Sequence, residues 1–137
     1  TNLTSAQIQA LKEALGVDET VLWEGSAASS FTVSENITNF EYLRVYMNYN
    51  GMNSWCYGTI VSNAQFTIAC VGYANNSGDG NRLQIFGGSF TSSNGLAFRS
   101  ESGKCIYFAN DSPTIGGGST VACNILKVVG VHRIASN

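Results

Sequence analysis

The chain has 137 residues, of which 44% are hydrophobic and only 12% are charged, and its formal net charge is −2. This length suits one domain with a single core. The seven lysines and arginines are scattered along the chain, so we predict no basic face of the kind that binds nucleic acid. No apolar run reaches the roughly 20 residues of a membrane-spanning helix, so we expect no membrane insertion. Because the sequence starts at Thr1 rather than at a methionine, we expect a piece of a longer protein.

The first part of the chain, residues 1–18, predicts a short helical segment that precedes a separate β-domain. Thr4 can cap the first helical turn while Gln7 reaches back to it, which is the pattern of a capping box. Gly16 is a typical C-terminal stop. We therefore predict an α-helix from about Ser5 to Leu15.

The predicted helix carries a narrow apolar stripe with coiled-coil spacing, formed by Ile8, Leu11 and Leu15. A helix this short does not persist alone in water, so the stripe must be buried against something. It could pack on the sheet of its own chain, or it could form a neck in which three chains meet. The sequence leaves these alternatives level, and the three residues are candidates for an oligomer interface.

From Thr20 onward the sequence predicts strands and tight turns, with hairpin signals at Asn50-Gly51 and Asn94-Gly95. The candidate strands are Thr20 to Glu24, Ser30 to Ser34, Phe40 to Tyr49, Asn53 to Val61, Gln65 to Tyr73, Asn81 to Phe90, Leu96 to Ser100, Lys104 to Ala109 and Val121 to Ile134. The last of these is apolar on both alternating sets, which predicts a central position. Short strands at this turn spacing predict an all-β fold over residues 19–137: an antiparallel β-sandwich of jelly-roll or Greek-key type, preceded by one short N-terminal α-helix.

The four cysteines are far apart in sequence and contain no Cys-x-x-Cys pair; they are Cys56, Cys70, Cys105 and Cys123. A structural zinc site is therefore not predicted. Two disulfides would suit a secreted domain, whereas reduced cysteines serve as small buried apolar residues. The strand-like surroundings of Cys70 and Cys105 favour reduced core residues.

Catalytic chemistry is not predicted. The only histidine, His132, lies in the final apolar strand, where a core or interface histidine is the ordinary explanation, and a serine or cysteine nucleophile would have to depend on it. The nine acidic residues do not suggest a glycosidase pair, and Gly116 to Gly118 lack the Lys-Ser/Thr of a phosphate-binding loop. We expect no enzyme activity, no cofactor and no metal.

The sequence does contain a pattern typical of surfaces that bind a ligand or another subunit. In Phe40 to Tyr49 one alternating set, which includes Leu43, Val45 and Met47, predicts a core face. The other set carries tyrosine, arginine and asparagine, and the next strand continues it with two aromatic residues; the candidate ligand-binding residues are Tyr42, Arg44, Tyr46, Asn48, Trp55 and Tyr57. Such residues are enriched at binding and oligomer interfaces. A saccharide platform, a subunit interface and ordinary cross-strand aromatic pairs all fit this pattern.

The strand sequences also resemble the C-terminal domain of bacteriophage and prophage tail fibre or tail receptor-binding proteins. The residues that carry the resemblance are Thr20 to Gly25, Phe31 to Glu35, Asn39 to Tyr46 and Lys127 to Ile134. The resemblance implies a homotrimeric β-sandwich tip at the end of a tail fibre, assembled in the bacterial cytoplasm and displayed on the virion. Such a tip binds a host cell-surface glycan or protein and does no chemistry. The resemblance transfers no binding site.

Two other functions fit the same residues. The first is a secreted, monomeric lectin-like or adhesin domain whose four cysteines form two disulfides. The second is a structural virion module that has no ligand.

Overall fold

A computed structural model describes residues 2–16, 18–49, 52–76, 80–109, 112–116 and 124–134. These residues form one α-helix, one 3-10 turn at Ile37–Asn39 and a mostly antiparallel β-structure. The elements are α1 (Ser5–Leu15), β1 (Glu19–Ala28), β2 (Ser30–Thr32), β3 (Phe40–Tyr49), β4 (Met52–Ser62), β5 (Gln65–Asn76), β6 (Gly80–Ser92), β7 (Ala97–Ala109), β8 (Ser112–Gly116) and β9 (Asn124–Arg133). Within the described part of the chain, no helix has the length and apolar character that crossing a membrane requires.

The helix has the predicted bounds and the predicted caps. The Thr4 hydroxyl accepts a hydrogen bond from the Gln7 backbone N–H at 3.2 Å, and the Gln7 side chain accepts one from the Thr4 backbone N–H at 2.8 Å. Gly16 ends the helix in the left-handed conformation, with φ of 72°, which glycine adopts without steric cost. Both predicted ends of α1 are therefore confirmed.

The apolar stripe of α1 is not covered by its own chain. Ile8, Leu11 and Leu15 are 42%, 50% and 67% exposed, and no residue of the helix is buried. Of the two interpretations of the stripe, packing on the chain's own sheet is thus not seen among the described residues. The oligomer interface remains a prediction.

One buried carboxylate joins the helix to the sheet. Asp18 accepts a hydrogen bond from the Gln9 side-chain amide at 2.7 Å and another from the Arg133 backbone N–H at 2.8 Å. Its side chain lies at the point where α1 ends and β1 begins, and the residue is only 6% exposed. Asp18 therefore connects the helix, the first strand and the last strand.

The nine strands form one antiparallel sheet with the order β1-β9-β3-β4-β5-β6-β7-β2, and β8 pairs with β7. The final strand lies between β1 and β3, and four of its apolar residues are buried, namely Ile125, Val128, Val129 and Val131. The predicted central position is confirmed for Asn124–Arg133 in that β9 has a pairing strand on each side, but Asn124 and His132 are exposed. The predicted start at Val121 and the hairpin at Asn50-Gly51 lie outside the described residues.

The predicted β-sandwich is wrong, because the sheet curls into a nearly closed, barrel-like form. Its two outermost strands, β1 and β2, are consecutive in the chain and separated only by Ser29. The Ser34 N–H donates to the Leu22 carbonyl at 2.9 Å, and the Ser100 N–H donates to the Ser29 carbonyl at 2.9 Å. Alternation and turn spacing are the same in a sandwich and a barrel, so strand sequences alone did not separate the two.

The interior is filled by residues from the inward alternation of every long strand. At one level, aromatic rings pack together: Phe66 and Phe90 stack at 4.9 Å, and Phe98 meets Phe66 edge-on at 5.2 Å. Phe31 of the short strand β2 completes this cluster by lying 5.7 Å from Phe90. The predicted core face of β3 is confirmed, since Leu43, Val45 and Met47 are fully buried.

Candidate functional site: the outer face of the sheet

The candidate site is the outer face of β3 and β4, and we call it the aromatic half. It consists of Tyr42, Arg44, Tyr46, Asn48, Trp55 and Tyr57. The register of the two antiparallel strands brings these residues together, because Tyr46 lies opposite Trp55 and Arg44 lies opposite Tyr57. Every second residue of a strand points to the same face, so the structure gathers all six sequence-predicted residues on one surface.

The rings of the aromatic half contact each other across the strands. Tyr42 stacks on Tyr57 with centroids 5.0 Å apart and an interplanar angle of 17°, and Tyr46 lies 5.0 Å from Trp55 at 44°. The Arg44 guanidinium lies over the Trp55 ring at 4.5 Å from its centroid, which is within the range of a cation–π contact. Each of these rings therefore contacts at least one neighbouring side chain of the aromatic half.

Polar groups border these rings. The Asn48 amide donates to the Asn53 side-chain oxygen at 2.6 Å. Arg44 forms an ion pair with Glu19 of β1, which lies on the far side of β9. An outer surface with aromatic rings, a paired guanidinium and two side-chain amides can stack on apolar faces and bond hydroxyl groups at the same time.

The outer face continues beyond the six predicted residues onto β5, β6 and β7. We call this continuation the apolar half; it consists of Val71, Tyr73, Leu83, Ile85 and Ile106. Val71 lies opposite Ile85, and Ile85 lies opposite Ile106. Val71 is 62% exposed and Ile85 48% exposed. Ala69, which pairs with Tyr57, connects the two halves.

Sequence reasoning missed the apolar half. The signal was present, because β5 and β6 carry apolar residues on both alternating sets: Cys70 and Phe86 are buried on the inner face, while Val71 and Ile85 are exposed on the outer one. The same double alternation was recognised only in β3 and β9. Exposed apolar patches of several hundred Å² on a soluble domain commonly mark contact surfaces.

His132 is not a core residue, so that part of the sequence interpretation is wrong. It is exposed and has a φ of 58°, a left-handed conformation that is uncommon for a residue with a side chain. This φ turns the residue out of the inward alternation of β9. Its ring meets Tyr42 edge-on at a centroid distance of 5.9 Å, at the border of the aromatic half. Its role in an interface remains a prediction.

A second polar cluster lies at the helix end of the barrel. The Arg133 guanidinium donates to both carboxylate oxygens of Glu35, at 2.7 and 3.0 Å, and lies over the Phe40 ring at 4.7 Å. The Arg133 hydrogen bond lowers the pKa of Glu35 against the opposing effect of burial, and a hydrogen bond from Asn39 adds to the lowering. The same pair raises the pKa of Arg133. This bidentate pair fixes the end of β9 against the segment that follows β2.

A shallow hollow of about 700 Å³ lies over β2, β6 and β7. Hydroxyl groups of Ser30, Thr32 and Thr91 and the Arg99 side chain line it. Glu101 accepts hydrogen bonds from Thr91 at 2.7 Å and from Arg99 at 2.8 Å, and these contacts, the Thr91 bond first, lower the pKa of its carboxyl group. Phe31 and Phe98, whose rings stack with centroids 6.3 Å apart, also line the hollow, but both residues are buried, unlike Trp55 and Tyr57 of the aromatic half.

The histidine and several carboxylates of the described residues have ring or ion-pair partners. His132 contacts the Tyr42 ring, and several carboxylates are engaged by cations: Glu19 by Arg44, Glu35 by Arg133 and Glu101 by Arg99. No group of three or more histidine, cysteine or acidic side chains that could hold a metal occurs among the residues described.

Comparisons with protein-family models, with curated proteins and with solved structures found no match for this chain.

Proposed function

We propose that this domain is a non-enzymatic attachment module, placed at the tip of a phage tail fibre, that binds a host cell-surface glycan through the aromatic half of its outer face. The single observation that carries the proposal is the preformed array of rings, amides and guanidinium on the outside of β3 and β4. Sugars present apolar ring faces and hydroxyl edges together, which this array matches. The resemblance of the strand sequences to tail fibre tips supports the setting.

Assembly as a homotrimer is part of the same proposal. Two unburied apolar surfaces support it: the stripe of α1 and the apolar half of the sheet. The stripe places Ile8 and Leu15 seven residues apart with Leu11 between them, the spacing of a coiled-coil seam. Aliphatic side chains on the apolar half suit contact with protein, whereas the aromatic half is more polar.

A glycan array tests the proposal by comparing the native full chain with the double variant Trp55→Ala, Tyr57→Ala. Stacking of an aromatic ring contributes on the order of 1 to 2 kcal/mol, so we expect the double variant to lose at least about tenfold in affinity for any glycan that the native chain binds. The matched control is Val61→Ala, since Val61 is an exposed apolar residue on the same strand but lies outside the aromatic half.

Far-ultraviolet circular dichroism and the thermal midpoint must show that the double variant is folded. Equal binding by the native chain and a folded double variant would reject the aromatic half as the ligand site. No binding by the native chain to host glycans or to host cells would reject the attachment function.

A structural module without a ligand is the second candidate. The observation that favours it is that Tyr42 and Tyr57 already stack on each other, so these rings also stabilise the sheet as a cross-strand pair. Under this alternative the double variant would lose stability and the native chain would bind no glycan.

A further inference from the structure

Three of the cysteines lie in one row of inward-facing side chains that crosses the sheet. Val45 of β3 pairs with Cys56 of β4, while Cys70 of β5 pairs with Phe86 of β6, which in turn pairs with Cys105 of β7. All of these side chains are buried. The predicted burial of Cys70 and Cys105 is therefore confirmed, Cys56 is buried as well, and no disulfide links the three to one another in the described residues.

Cys56 and Cys70 face each other where the ladder between β4 and β5 ends. The last recorded pair on that side is Tyr57 with Ala69, and the next residue of each strand is a cysteine. The Cα atoms of the adjoining antiparallel pair, Tyr57 and Ala69, lie about 4.5 to 5.5 Å apart, and a disulfide spans Cα distances of about 4.4 to 6.8 Å. Cys105 is kept apart from Cys70 by the Phe86 ring between them in the row.

The two thiols are in contact and differ in character. A hydrogen bond from the Cys56 thiol lowers the pKa of Cys70, burial opposes this, and a hydrogen bond from Ser54 adds to the lowering. Cys70 is also the more exposed of the two, at 8% against 2%. By contrast, the Cys105 thiol donates to the Gln84 side chain at 3.8 Å.

We infer that Cys56 and Cys70 form a redox-active dithiol that closes to a cross-strand disulfide by exchange with a low-molecular-weight disulfide. The Cys70 thiolate attacks one sulfur of that disulfide, forms a mixed disulfide and releases one thiolate. Cys56 loses its proton and attacks the Cys70 sulfur, which releases the second thiolate. Two electrons pass to the oxidant, and the two cysteine protons end on the two released thiols.

The positions of Cys56 and Cys70 determine how a disulfide between them would affect the sheet. Cys56 lies between Trp55 and Tyr57 of the aromatic half, on the opposite face of β4. A bond to Cys70 would tie β4 to β5 at a point where the backbone ladder no longer does so. The inference is independent of whether the outer face binds a glycan.

The test incubates the fully reduced, folded chain with oxidised glutathione and then alkylates the remaining thiols. The sequence has 4 cysteines, and we expect the number that can be alkylated to fall from all of them to two. The peptide map should show a link between Cys56 and Cys70. The thermal midpoint should rise by roughly 5 °C, because a cross-link restricts the unfolded chain. Cys56→Ala should abolish the change, and Cys105→Ala should leave it intact.

The peptide map of the native chain decides the inference even where a variant does not fold. A link that uses Cys105 or Cys123, glutathione that stays bound to Cys70, or four alkylated cysteines after incubation would each overturn it.

Discussion

At the scale of single residues, Gly130 shows how a missing side chain shapes the interior of the barrel. A Cβ atom at this position would lie 2.6 Å from atoms of the Phe40 ring, closer than carbon atoms can approach. The Arg133 guanidinium also lies over the Phe40 ring, 4.7 Å from its centroid. The Phe40 ring therefore has both Gly130 and Arg133 as close neighbours.

We predict that Gly130→Ala destabilises the fold by about 2 to 3 kcal/mol, because overpacking forces shifts of the ring and backbone. Chemical denaturation followed by fluorescence or circular dichroism measures the change. The double variant with Phe40→Leu should recover part of the loss, since leucine leaves room for the new methyl group. Purely additive effects of the two substitutions would contradict the proposed clash.

The Glu35–Arg133 pair gives a prediction about pH. The pKa of Glu35 is lower in the folded chain than its ordinary value, so the pair stabilises the fold above the unfolded-state pKa of about 4.3. This contribution is lost as the pH falls through the folded-state pKa. We expect Glu35→Gln to cost about 1 kcal/mol at pH 7.

Denaturation curves between pH 7 and pH 3 of the native chain and of Glu35→Gln measure this effect. The stability difference between the two chains should shrink as the solution becomes acidic. A constant difference at all pH values would show that the loss comes from packing rather than from the charge on Glu35.

Single positions were the most predictable level of the structure where a local rule applied. Alternation along β3 separated the buried Leu43 from the outer Tyr42, and the capping pattern located the start of α1. His132 broke the alternation of its strand through a positive φ, which depends on the backbone around Asp18. Its position could not be predicted from neighbours in sequence.

At the scale of elements, α1 has the ends of a well-capped helix but no partner for its stripe within the described chain. The contacts that join the helix to the barrel include the hydrogen bond from the Gln9 side chain to Asp18. Most helical stability in proteins comes from packing of an apolar face. No described residue of the chain covers the stripe, and the proposed trimer would supply a partner for it.

We predict that replacing Ile8, Leu11 and Leu15 together by serine shifts the molecular mass from trimer toward monomer. Light scattering after size exclusion measures the mass, for which one chain contributes 14.6 kDa. The matched control replaces Ala6, Ala10 and Glu13 by serine, because these positions lie outside the stripe. Identical masses for the two triple variants would exclude the neck.

The elements themselves were largely predictable, and their global pairing was not. The predicted strand Phe40 to Tyr49 matches β3 at both ends, whereas two predicted strands at Leu96 to Ser100 and Lys104 to Ala109 are one long strand, β7. Strand β8, Ser112–Gly116, was not among the predicted strands. Closure of the barrel depends on β1 reaching β9 and β2 reaching β7, contacts between distant parts of the chain that short patterns do not encode.

At the scale of the whole molecule, the outer face divides into a polar aromatic half and an apolar half. The two halves adjoin because β4, which belongs to the aromatic half, and β5, which belongs to the apolar half, are neighbouring strands. This neighbour relation depends on the strand order and not on the sequence of either strand alone. The centres of protein interfaces are typically rich in apolar side chains and depleted of charged residues. The composition of the apolar half matches that pattern.

We predict that Val71→Asp with Ile85→Asp lowers the mass of the assembly, because a buried interface would have to desolvate two unpaired carboxylates. The control is the double variant Val21→Asp with Val61→Asp. It adds the same two charges at exposed apolar residues that lie outside both halves. Sedimentation velocity compares the two variants with the native chain. A trimer in both variants would show that the apolar half is not the contact between copies.

The hydrogen bonds of Asp18 to the helix and to the last strand would have a mechanical consequence in the proposed attachment module. If the helix is the tether and the outer face holds the host surface, a pulling force enters the barrel where Asp18 bonds Gln9 and the Arg133 backbone. The first pairs of β1 and β9, beginning with Glu19 opposite Val131, lie directly behind this point. Tension would therefore reach those two strands first, and the buried carboxylate would resist their separation before any contact with the host is strained.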